Sequence, residues 1–106
     1  MEDCIFCLII KGDIPAQILY SDESVLAFRD VNAQAPEHFL VIPKEHIATA
    51  NDATDELIMG KLIITATNIA KELGFAEQGY RLVMNCNSDG GQTVSHIHLH
   101  LSLIHI

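Results

Sequence analysis

Basic residues are scarce in this chain. Six Lys and Arg stand against fourteen Asp and Glu in 106 residues, a formal net charge of −8 with His neutral. Such a balance argues against non-specific nucleic-acid binding, which needs a basic face. It leaves room for a small anionic ligand, because backbone amides and imidazoles bind one locally. No apolar run approaches the length of a membrane span, so no membrane partner is expected. A secretory leader pattern is also missing: Met1-Glu2-Asp3 is acidic, and the apolar run after it breaks at Lys11-Gly12-Asp13. There is no internal repeat, low-complexity segment or linker. Cysteine is rare and odd in number, at three. A full disulfide framework is therefore not expected, and a reducing, cytoplasmic setting is the expectation.

What is present suits one small domain over residues 1–106. Apolar residues make up 49% of the chain, enough for a real core. A chain this short buries only a modest share of its surface, which favours help from a partner subunit. Cys4 to Ile10 reads as a short helix stopped by Gly12 and Pro15. Gln17–Tyr20 and Val25–Phe28 read as strands around the turn Ser21-Asp22-Glu23-Ser24. Phe39–Ile42 reads as a buried strand. A long helix is expected from about Thr54 to Leu73, with Asp55 and Glu56 in its first turn and Gly74 as its stop. Ile58, Leu62, Thr65, Ile69 and Leu73 form one stripe on it, which Ile63, Ala66 and Ala70 widen. A face so wide fits either a well-buried helix or one shared between a sheet and a second subunit. Tyr80–Asn85 and Thr93–Leu101 read as further strands, separated by the polar loop Cys86–Gln92. Strands, one long helix and more strands give an α+β fold with an antiparallel sheet.

The informative segment is Gly90-Gly91-Gln92-Thr93-Val94-Ser95-His96-Ile97-His98-Leu99-His100-Leu101. On a strand, neighbours alternate faces, so Ile97, Leu99 and Leu101 point into the core. His96, His98 and His100 then form a row with members roughly 6.5–7 Å apart. Packing does not require three imidazoles in a row. They suit either a catalytic metal, through His-x-His ligation, or covalent catalysis at phosphorus, with one imidazole as nucleophile and another orienting it. The preceding loop, Asn85 to Gly91, offers backbone amides for an anion nest and favours the second reading.

This segment resembles the signature of the histidine-triad family, in which three His alternate with apolar residues after a Gly-Gly-Gln-Ser/Thr-Val lead. Two further stretches resemble its Hint-like branch: Cys4-Ile5-Phe6-Cys7 with Ile14-Pro15-Ala16, and Gln34-Ala35-Pro36-Glu37-His38-Phe39-Leu40-Val41-Ile42-Pro43-Lys44-Glu45-His46. The resemblance implies a sheet of about five strands with one long and one short N-terminal helix. It also implies a homodimeric hydrolase of purine nucleoside phosphoramidates that uses no organic cofactor and releases an AMP-like nucleotide through a nucleotidyl-histidine intermediate.

By the same resemblance His98 is the nucleophile. His96 and His100 orient it and contact phosphate, and His38 relays protons. Thr93 lies near the leaving group, while Gly91, Gln92 and Asn85 contact phosphate. Asp30 accepts from the ribose hydroxyls, although a turn-forming Asp before Asn32 reads nearly as well. Phe6, Ile9, Phe28 and Val31 form the base pocket. Arg29 stands where many Hint-like members have His.

Cys4 and Cys7 form a C-x-x-C pair, half of a zinc site or else two buried or redox-active thiols. The resemblance supplies His46 and His96 as the other ligands of a closed structural zinc. Beyond Leu101, Ser102-Leu103-Ile104-His105-Ile106 departs from the family's Gly-Gly-Arg and Trp-Pro-Pro-Gly tail, and a changed substrate preference is expected. Three alternatives stand beside phosphoramidase activity: dinucleoside polyphosphate hydrolysis, nucleotide or zinc binding without turnover, and catalysis by a histidine-bound metal.

Overall fold

The computed structural model describes residues 3–30 and 37–103. In chain order it contains α1 (Ile5–Lys11), β1 (Ile18–Ser21), β2 (Val25–Arg29), β3 (His38–Pro43), α2 (Glu56–Leu73), β4 (Arg81–Val83) and β5 (Leu99–Ser102). The five strands form one antiparallel sheet in the order β1-β2-β3-β5-β4.

Alternation along the central strands divides the molecule into two layers of different purpose. Val25, Ala27, Phe39, Val41, Leu99 and Leu101 face α2 and pack with Leu62, Ala66, Ile69 and Ala70. Leu26, Phe28, Leu40 and Ile42 face the other way, against Phe6 and Cys4 of the α1 region. His100 pairs with Leu40 on one side and Val83 on the other. It therefore stands on the α1 face, where the site lies.

Local chemistry sets the element ends. Asp55 is the N-cap of α2 rather than part of its first turn; its side chain accepts from the Leu57 N–H at 2.9 Å. Gly74 closes α2 at φ 88°, a left-handed conformation that costs glycine little. At the β1–β2 turn, Asp22 accepts from the N–H groups of Ser24 and Val25 at 2.8 and 2.9 Å. It also meets Lys61 of α2 at 2.8 Å, which holds its carboxyl well below the usual carboxylate range and ties the hairpin to the helix.

Three expectations shift. The last strand covers only Leu99–Ser102, not Thr93–Leu101. The His96 N–H turns back to the Val94 carbonyl at 2.9 Å, so the chain bends there instead of entering the ladder. The strand expected at Tyr80–Asn85 shortens to Arg81–Val83, the part facing β5. On α2, Leu62, Thr65, Ala66, Ile69 and Ala70 are buried, but Ile63 and Leu73 stand outward with Leu57 and Ile64.

Candidate active site

The bend after Val94 sends the histidines to two destinations. Ile97 stays in the core, anchored by its N–H to the Ile47 carbonyl at 2.8 Å. His96 is fully buried and points at the thiols of Cys4 and Cys7. His98 and His100 turn to a cavity of about 650 Å³, a volume suited to one small organic ligand. Their ring centroids lie 4.8 Å apart, nearer than the spacing of a regular strand row.

The His98 tautomer follows from its partner. Nδ1 lies 2.8 Å from the His96 carbonyl oxygen, which can only accept. Nδ1 therefore carries the hydrogen, and Nε2 keeps a lone pair. Burial pushes the ring's pKa down, with the carbonyl contact opposing it, so the neutral nucleophilic form is favoured. Phe6 packs edge-on against this ring at 5.1 Å and against Phe28 at 5.6 Å.

His100 is held down to about 4, first by burial and then by His98 and His38. His38 Nε2 and His100 Nδ1 are 2.9 Å apart, and His38 Nδ1 lies 3.7 Å from Asp30 Oδ2. The sign of the pH effect follows. A histidine held below its unfolded value near 6.5 refuses a proton that the unfolded chain accepts. Stability should be full above about pH 6.5 and decline toward pH 4, by an amount on the order of 1–2 kcal/mol for His100 after allowance for solvent screening. Urea midpoints at pH 7 and 4.5 should fall further in the wild type than in His100→Asn. Equal falls would remove His100 as the cause.

Phe6, Ile9, Phe28 and Leu40 give the cavity apolar walls, and Asp30, His38, Asn85, Gly91 and Thr93 line its polar side. Of the expected binding residues, Val31 lies outside the described residues. Gln92 does not line the cavity. Its amide donates to the carbonyls of Ala48 and Val94 and accepts from the Asn87 N–H, which fixes the loop. The loop is also no open nest. The N–H groups of Gly90, Gly91 and Gln92 turn inward to the Asn87 and Ser88 carbonyls.

Leu40, Ile14, Pro15 and Ala16 also line the cavity. The last three lie in a stretch already matched as a motif, whereas Leu40 is placed by strand register, which no motif reveals. Arg29 lines the cavity too and pairs with Glu37.

A second cluster joins Cys4, Cys7, His46 and His96, whose ligand atoms all lie within 4.8 Å of one another. Sulfur-to-nitrogen separations are 3.4 Å for Cys4–His96, 3.3 Å for Cys7–His46 and 3.6 Å for Cys7–His96. Tetrahedral bonds of about 2.3 Å to sulfur and 2.0–2.1 Å to nitrogen imply edges of roughly 3.5 Å. His96 Nε2 faces the Pro43 carbonyl at 2.8 Å and so carries the hydrogen, which leaves Nδ1 as the ligating lone pair. These four residues could hold a metal ion.

Comparison with known proteins agrees with this geometry. The HIT domain family matches residues 11–102. A protein named purine nucleoside phosphoramidase from Escherichia coli K12 is 51% identical over 102 residues, covering 94% of this chain and 86% of that protein. The crystal structure of a HIT family hydrolase from Legionella pneumophila superposes with a TM-score of 0.94 at 49% identity, covering 98% of this chain and 95% of the other. A histidine triad protein from Clostridium difficile gives 0.92 at 45% identity, with coverage of 96% and 90%. With the HIT domain matched over most of its length, and with His98 and His100 on the cavity wall while His96 joins the thiol cluster behind it, the chain belongs to the histidine-triad, or HIT, family.

Proposed function

We propose that the chain is a purine nucleoside phosphoramidase. The observation that carries this reading is His98: a neutral imidazole, its Nε2 lone pair left available by the His96 carbonyl, in the wall of a cavity with apolar sides and a carboxylate. Phe6, Ile9 and Phe28 would enclose a purine, and Asp30 would accept from the ribose diol. His98 Nε2 attacks the α-phosphorus, a nitrogen–phosphorus bond forms to the ring, and the substrate's P–N bond breaks as the amine leaves with a proton that the His38–His100 pair takes from solvent and relays. Water then attacks the nucleotidyl-histidine, gives up a proton to the same pair, and releases the nucleoside monophosphate. Asn85 and Thr93 would supply neutral donors to charge growing on the phosphoryl oxygens, beside Gly91 on the same wall.

Zinc is the metal that two thiolates and two imidazoles suit best, in a closed site. Bound there, it would add folding energy and would tie α1 to the chain around His46 and His96. Leu57 and Ile64, 83% and 60% exposed on α2, support a homodimer through that helix, which sedimentation at micromolar concentration would detect. Three cysteines with no disulfide among them support a cytoplasmic setting.

Initial rates on adenosine phosphoramidate and on a diadenosine polyphosphate test the activity. Faster release of AMP from the phosphoramidate is expected. A reversed ratio would favour the polyphosphate, and AMP binding without turnover of either would make the chain a nucleotide-binding module.

A further inference from the structure

The loop on the polar side of the cavity carries a strained residue. Asn87 has φ 59° and ψ −175°, and it is the one non-glycine residue with positive φ among the described residues. At those angles the Cβ of an L-residue crowds its own main chain, and glycine is the ordinary occupant. The Asn87 side chain does not offset this, since it makes no capping bond to the short turn that follows. The conformation is held by Gln92 instead. Gln92 Oε1 accepts from the Asn87 N–H at 2.8 Å, while the Asn87 carbonyl accepts from the N–H groups of Gly90 and Gln92 at 3.2 and 3.0 Å. The orientation of the Gln92 amide is set by its other partners: Nε2 donates to the Ala48 and Val94 carbonyls at 2.7 and 2.9 Å. Both hydrogens of that nitrogen are then used, and Gln92 has no side-chain donor left for a phosphoryl oxygen. What the loop shape decides is the cavity wall. A methyl added at Gly91 would meet Asn85 Nδ2 at 3.9 Å, so the loop folds back over Asn85, and Asn85, Gly91 and Thr93 line the cavity together.

We propose that Gln92 is a positioning residue that acts on the substrate through Asn87: its side chain clamps the loop in a strained shape that faces Asn85 and Gly91 to the phosphoryl group. Released from the clamp, Asn87 relaxes toward negative φ and carries the loop off that wall. Glycine at position 87 keeps the shape with no clamp, because it meets no Cβ clash there. Gln92 thus serves the phosphoryl group by leverage and not by contact. The inference rests on the nucleotidyl-hydrolase reading.

A double-mutant cycle of wild type, Gln92→Ala, Asn87→Gly and the double variant tests it, with AMP and adenosine as calorimetric probes. Gln92→Ala should weaken AMP at least about tenfold and adenosine, which lacks the phosphate, by less than about twofold; Asn87→Gly should bind both as the wild type does, and the double variant should recover most of the AMP loss. An equal AMP loss in both backgrounds would mean that Gln92 touches the phosphate itself, and parallel losses of AMP and adenosine would reduce it to support of the fold; either result overturns the proposal. Asn87→Gly alone should raise Tm, because relief of strain exceeds the added freedom of the unfolded chain. A lower Tm overturns the clamp, and this arm stands even where Gln92→Ala does not fold. If the wild type binds no AMP, the phosphoramidase reading falls, and ligand-free ¹⁵N spectra decide the clamp. The Gly91 amide and Asn85 side-chain signals should move in Gln92→Ala and return in the double variant; signals that stay put, or that move and do not return, overturn it.

Discussion

Replacing His98 with alanine should lower kcat/KM for adenosine phosphoramidate on the order of 10⁴-fold or more, with AMP binding retained. The size follows from what is lost. No other described group combines a lone pair fixed by a backbone carbonyl with a place on the cavity wall; His96 spends its equivalent lone pair on the thiol cluster, and His100 is engaged with His38. A merely electrostatic ring would be partly replaced by water and by His100. The ring also fills space against Phe6, so alanine should cost about 1–3 kcal/mol of stability. His98→Asn, closer in volume, separates that cost from catalysis. Rapid quench with α-labelled substrate should find label on His98 in the wild type and none in either variant. Retention of most activity in both would remove His98 as nucleophile.

Stripping the metal should be the second large effect. A metal in the Cys4–Cys7–His46–His96 cluster contributes binding energy that is also folding energy, on the order of several kcal/mol in a domain this small. A strong chelator should lower Tm by more than about 10 °C and abolish turnover, and added zinc should restore both. Cys7→Ser should reproduce the loss without chelator. Two features tie the cluster to the site: Cys4 caps α1, which carries Phe6, and the His96 carbonyl holds His98. Activity lost on chelation with Tm unchanged would instead indicate a catalytic metal. Elemental analysis finding no metal, with Tm indifferent to chelator, would reduce the cluster to thiol–imidazole hydrogen bonds.

Much of this was legible in the residues. The unbroken apolar run Phe39–Ile42 marked a buried strand, which is covered on both faces, and the C-x-x-C pair lies together with His46 and His96. The alternating triad was misleading in one respect. Period two suggested a straight strand through His96, but a strand needs a ladder partner, and among the described residues the one backbone bond from 93–98 to a neighbouring segment is Ile97–Ile47. The acceptors that set the tautomers of His96 and His98, the carbonyls of Pro43 and His96, are main-chain atoms that no side-chain pattern encodes. Gln92 illustrates the same limit, since only the fold shows its amide turned toward Ala48.

The strand order has a kinetic consequence. β5 is last among the strands in the chain yet sits between β3 and β4, and His100 meets a histidine 62 positions earlier. A nascent chain emerging from the ribosome can close the β1–β2 hairpin early. It has nothing to place beside β3 until residues 99–102 are free. Such distant pairings slow folding, so the interval before residues 99–102 emerge is the one in which the exposed edge of β3 most needs protection from other chains.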